Sequence, residues 1–63
     1  MCESTVYLIG KSGKEELFLE SVDKVVPDGG TVLLEDILGR KKTVNARIKE
    51  LALVDHRIVL EEI

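Results

Sequence analysis

The sequence predicts an all-β fold, a small antiparallel β-sandwich or β-barrel of about six short strands. Turn signals recur along the chain at Gly10-Lys11-Ser12-Gly13, Pro27-Asp28-Gly29-Gly30, Gly39-Arg40 and Asp55-His56. Glycine supplies the positive φ angles that hairpin turns demand. Between these turns lie short runs rich in Val, Leu and Ile, and such runs at a spacing of roughly 8–12 residues are the mark of a small sandwich or barrel. With 63 residues and no internal repeat, low-complexity stretch or linker, residues 1–63 read as a single domain.

The first strand is expected from Ser4 to Ile9, with Val6 and Leu8 on one face and Thr5, Tyr7 and Ile9 on the other. A second runs from Glu15 to Glu20, with Leu17 and Leu19 facing one way and Phe18 the other. Val22 to Val26 is a third, ended by Pro27, which cannot donate to a ladder. Thr31 to Ile37 is a fourth, with Val32 and Leu34 alternating against Leu33 and Glu35. Arg57 to Glu62 is the last, with Ile58 and Leu60 on one face. The stretch 41–54 is ambiguous. Val44, Ile48, Leu51 and Ala52 have helical spacing, while Lys41–Val44 and Lys49–Val54 read as strands broken near Asn45-Ala46. Strands are preferred because the flanking elements need partners, and a short helix stays open.

Composition limits the function. A domain of about 60 residues buries only about 60% of the surface its unfolded chain exposes, so such folds lean on disulfides, a metal or a partner subunit. With a single Cys an internal disulfide is impossible, which leaves a metal, a second copy, or a metal between two copies. A hydrophobic fraction of 44% excludes disorder as the default state. No apolar run approaches the roughly 20 residues of a membrane span, and no signal-peptide pattern opens the chain. A lone thiol without an export signal fits the reducing cytoplasm. The net charge of −3 suits a cation better than a polyanion. No Ser/His/Asp or Cys/His/Asn set is visible, and a substrate pocket of roughly 300 Å³ or more is not expected in so small a core. The chain is therefore read as a binding protein, not an enzyme.

Cys2 is the leading chemical candidate. If the initiator Met is removed, the mature chain begins with Cys, whose amine and thiolate close a five-membered chelate ring around a metal. If Met1 stays, its amine and the Cys2 amide nitrogen take the place of the free Cys amine. Either way the donors are nitrogen and soft sulfur. Two chains then supply an N₂S₂ set, and square-planar N/S donation points to Ni(II) or Cu(II). The plainer reading of Cys2 is a small buried hydrophobe at a strand start.

Other candidates are weaker. His56, the sole histidine, lies between Asp55 and Arg57 at a hairpin tip and reads as a solvated residue or an accessory ligand. Gly10-Lys11-Ser12 resembles the end of a P-loop, but Thr5 stands where the earlier glycine belongs and a strand follows instead of a helix. The carboxylates Asp28, Glu35, Asp36, Glu61 and Glu62 lack calcium-loop spacing and read as solvated charge. Arg40-Lys41-Lys42, the basic cluster, reads as a guard on a strand edge.

Several segments together resemble one family. They are Met1-Cys2-Glu3 followed by Thr5-Val6-Tyr7-Leu8, then Val22-Asp23 with Val25, Asp36-Ile37-Leu38-Gly39-Arg40, and the ending Leu53-Val54-Asp55-His56-Arg57-Ile58-Val59-Leu60-Glu61. The chain is similar over essentially its whole length to the small CooT-like nickel-binding proteins. That resemblance implies a homodimer of small antiparallel β-barrels of SH3/Sm-like type, with Ni(II) held by Cys2 of each chain and by main-chain nitrogen, Met1 being its neighbour. It implies a nickel chaperone, store or sensor, and as partner a nickel enzyme or maturation factor, carbon monoxide dehydrogenase being the founding case. Such chains have also been described as predicted RNA-binding proteins. An RNA-binding barrel using Arg40-Lys41-Lys42, Arg47 and Lys49 is thus the alternative, against which stand the acidic balance and the lack of aromatics beyond Tyr7 and Phe18. An adaptor domain with an incidental Cys2 is a third expectation.

Overall fold

The computed structural model describes residues 3–63, all of them in strands or short connections. The strands are β1 (Ser4–Ile9), β2 (Glu15–Asp28), β3 (Thr31–Asp36), β4 (Lys41–Val44), β5 (Ala46–Ala52) and β6 (Arg57–Glu62). They form one 6-stranded sheet in the order β4-β3-β2-β1-β6-β5. The all-β expectation holds. The region 41–54 consists of strands, with the break at Asn45, and contains no helix.

Two features of the expected architecture change. The sheet is not closed into a barrel: no ladder joins β4 to β5 among the described residues, although β5 comes up against β3. Nor is the pairing antiparallel throughout, since β1 and β6 run parallel from Thr5↔Arg57 to Ile9↔Glu61. The other ladders are antiparallel. The parallel pair is possible because the long path through β2 to β5 supplies the crossover that parallel neighbours require.

The second and third expected strands are one continuous strand, β2, of 14 residues. Ser21 takes a left-handed conformation (φ 59) and bends the strand without ending it. Pro27 also fails to end it, and pairs with Val32. Beyond Val22 no described residue of β1 pairs with β2, so this stretch is an edge, where a missing N–H is tolerated. Elsewhere the strands match to within a few residues. β3 stops at Asp36 rather than Ile37, and β5 starts at Ala46 and ends at Ala52.

Curling of the sheet places Val6, Val22, Val32, Leu34, Ala46, Ile58 and Leu60 in one buried cluster. The expected inward residues Val6, Val32, Leu34, Ile58 and Leu60 are all in it. Strict alternation fails in β2. Val6 pairs with Leu19 and Tyr7 with Leu17, so Phe18 is the extra residue of a bulge. Phe18 and Leu19 therefore both pack on the core while Leu17 is left exposed. On the opposite face Val59 is also buried, opposite Tyr7. The Arg57 guanidinium lies 4.6 Å from the Tyr7 ring centroid and is paired with Glu15.

Candidate functional site

The parallel pairing of β1 and β6 decides what flanks the start of β1. Because the two strands start side by side, the turn preceding β6 flanks the start of β1. The Thr5 N–H donates to the His56 carbonyl at 2.9 Å, and the His56 N–H donates to the Leu53 carbonyl at 3.3 Å. His56 closes this turn in a left-handed conformation (φ 52), which lets the chain reverse into β6. Its side chain is exposed, and it lies at the same end of the sheet as the start of β1. Leu53 and Val54 in the turn are 71% and 92% exposed, and Leu51 continues the apolar strip along β5.

On the other flank Ser4 pairs with Val22, and Val22 with Asp36. The turn after β3 follows. Its Ile37 N–H donates to the Ser21 carbonyl at 2.9 Å. Asp36 organises this turn from inside. One carboxylate oxygen accepts the N–H groups of Leu38 and Arg40, each at 2.9 Å, and the other accepts Arg40 Nε–H at 2.7 Å. The glycine of the turn, Gly39, is at φ 84, a conformation that resists any side chain. Sequence reasoning had placed Asp36 among the solvated acids. The signal was there in the spacing, since Asp at the first position and Gly at the fourth of Asp36-Ile37-Leu38-Gly39 is a favoured turn pattern.

Burial pushes the Asp36 carboxyl upward, but the hydrogen bonds and charge of Arg40 and the Leu38 amide outweigh it, so its pKa lies below the ordinary value of 3.8. The sign follows by linkage. A carboxyl depressed in the folded state stabilises fully above its unfolded pKa and loses that contribution as pH falls through the folded one. Asp36→Asn should therefore lower the melting temperature by a constant amount between about pH 7 and pH 5, and the gap to the parent should shrink below the ordinary carboxyl range. A gap that widens on acidification would contradict the assignment.

Cys2 and Met1 lie outside the described residues. Among the described residues no group of His, Cys, Asp and Glu side chains is assembled to hold a metal ion. His56 belongs to no such group of three or more among the described residues. The Gly10–Gly13 segment is the β1–β2 turn, closed by Gly13 N–H to the Gly10 carbonyl at 2.9 Å, and a strand follows it. This geometry removes the P-loop reading. Arg40-Lys41-Lys42 runs from the β3–β4 turn into edge strand β4, where charge is expected. No helix is long and apolar enough to cross a membrane among the described residues.

The Arg57 guanidinium stands over the Tyr7 ring and the Lys42 ammonium sits 5.1 Å from the Phe18 ring centroid, so each aromatic has a cation at its ring. Arg47 is paired with Glu61 at 3.0 Å and Arg40 with Asp36.

Comparison with known proteins adds the context. Residues 1–61 match the family described as CO dehydrogenase accessory protein CooT. A crystal structure of a protein assigned as CooT from Carboxydothermus hydrogenoformans superposes with a TM-score of 0.85 at 50% identity, covering 98% of each chain. An uncharacterized protein of Archaeoglobus fulgidus is 42% identical over 43 residues, which are 68% of this chain and 96% of the relative.

Proposed function

The chain belongs to the CooT family of CO dehydrogenase accessory proteins, and on that premise we propose that it binds Ni(II) for that enzyme's maturation, through Cys2 of two chains at a homodimer interface. The observation that carries the reading is the family match itself, which runs from residue 1 to residue 61 and so includes Met1 and Cys2 as well as the whole sheet. The chemistry of the donors agrees with it. A thiolate beside a main-chain nitrogen forms a chelate, and two such pairs make the planar N/S set that Ni(II) favours. Both donors must lose a proton before they can bind the metal, so binding releases protons and weakens as pH falls.

The surface near the start of β1 supports a dimer. Leu51, Leu53 and Val54 form an exposed apolar strip on β5 and the β5–β6 turn, beside the start of β1. A domain this small has little core to spare, and a second copy covering the strip supplies the missing burial. β5 is an edge strand, which a partner also caps. The dimer therefore exists before nickel arrives. Sedimentation of the metal-free protein as a dimer at micromolar concentration is the expected result, and a pure monomer would remove this part of the reading.

A Ni(II) titration followed by visible absorbance tests the site. A thiolate-to-nickel charge-transfer band should grow linearly and stop at one nickel per two chains. Absence of the band, or growth without a break, would overturn the assignment of sulfur as donor.

A further inference from the structure

The start of β1 is held unequally on its two sides. Toward β2 the ladder is irregular. Ser4 pairs with Val22 and Val6 with Leu19, so three steps along β2 match two along β1, and Thr5 is left without a partner across β2. Such a bulge disrupts the ladder locally. The left-handed Ser21 (φ 59) lies in the skipped stretch. Toward β6 the hold is direct. Thr5 pairs with Arg57, and its N–H donates to the His56 carbonyl at 2.9 Å. His56 stands one residue before β6, so this bond ties the start of β1 to the β5–β6 turn.

The bond depends on a local conformation. His56 is at φ 52. Left-handed backbone suits glycine, is tolerated by Asn, Asp and His, and is an outlier for a β-branched residue. Both backbone polar groups of His56 are in use. The N–H closes its own turn on the Leu53 carbonyl at 3.3 Å, and the carbonyl holds Thr5. The side chain is exposed, so replacing it removes no core packing.

We infer that His56 is a positioning residue for the nickel site, acting through its carbonyl and not through its imidazole. The inference rests on the nickel reading above. Thr5 is three residues along the chain from Cys2, so a chain pinned at Thr5 keeps Cys2 within roughly 11 Å of that point whatever course it takes. A site shared by two chains needs both thiolates brought to one metal ion. Each further residue freed from the sheet must be ordered again when the metal binds, and that cost falls on both chains. The position therefore selects side chains that accept the left-handed conformation, whether or not they can ligate a metal.

The test compares His56→Gly, His56→Asn, His56→Ala and His56→Val in the full chain. Calorimetric Ni(II) titration gives affinity, visible absorbance gives the thiolate band, and amide hydrogen exchange is followed on the metal-free proteins. The Gly and Asn variants should keep the parent's affinity and band. The Ala variant should lose affinity severalfold and the Val variant by at least about tenfold, through the residues that must be ordered again. Exchange of the Thr5 amide should quicken in the same order, while the Leu60 amide stays as protected as in the parent. The Ala variant keeps the series decisive if the Val variant unfolds. Loss of affinity in the Gly and Asn variants equal to that in the Val variant would make the imidazole a ligand and overturn the inference. So would Ala and Val variants that bind as tightly as the parent, and the nickel reading would then stand without it. A parent that binds no nickel would remove the nickel reading and this inference together.

Discussion

Cys2→Ser should weaken Ni(II) binding by more than about 100-fold, because loss of a group that merely supports a metal ligand already costs about 10- to 100-fold. Serine keeps the size and the main-chain nitrogen but substitutes a hard, protonated oxygen for a soft thiolate. The residual nitrogen donors are too weak to retain the metal against a competing chelator. Calorimetry of parent and variant measures the difference directly. The fold should be untouched, since the described residues of the buried cluster run from Val6 to Leu60 and complete the core among themselves, so unchanged circular dichroism accompanies the loss. Equal affinity in the two proteins would make Cys2 a small apolar residue and nothing more.

The largest effect on stability should come from Leu60→Ala. Leu60 is fully buried in β6, a strand paired with β1 on one side and β5 on the other. Truncating a buried leucine costs about 2–5 kcal/mol, through lost transfer energy and the cavity left behind. A chain of 63 residues has a total stability of only roughly 3–9 kcal/mol at typical values per residue. The substitution thus removes a large share of it, and the variant should be substantially unfolded in mild denaturant where the parent is folded. Leu53→Ala makes the contrast, because an exposed leucine costs a folded monomer little, while in the dimer its loss should promote dissociation. A parallel urea series of the two variants, at low and high protein concentration, separates these effects. A Leu60→Ala variant as stable as its parent would mean that the sheet does not enclose the core described for it.

The strands were legible because they rest on local chemistry. Val6, Val32, Leu34, Ile58 and Leu60 are each buried where period two puts them, although Val59 between the last two is buried as well. The fold departs from that reading where a single residue breaks the period. The bulge at Phe18 turns two successive side chains, Phe18 and Leu19, onto the core. The left-handed Ser21 joins what looked like two strands, because a bend without a glycine carries no turn signal. Neither the parallel β1–β6 pair nor the open sheet edge has a local signature, since both depend on how distant segments meet. Of the candidate site, the sequence marked Cys2 through its place in the chain, and marked His56 as a turn residue. It did not reveal that the β5–β6 turn flanks the start of β1, or that the β3–β4 turn lies one strand further on, across β2, which follows only from the strand order. Asp36 was missed because a carboxylate serving backbone amides looks, in sequence, like any acid in a turn.

Native mass spectrometry of the intact protein at increasing Ni(II) tests the central claim most directly, since it counts chains and metal ions in the same particle. The account predicts a metal-free dimer converted to a dimer holding one nickel, with no further specific uptake and no such species from Cys2→Ser. A monomer carrying its own nickel, or a dimer that takes up metal equally well without the thiol, would contradict it.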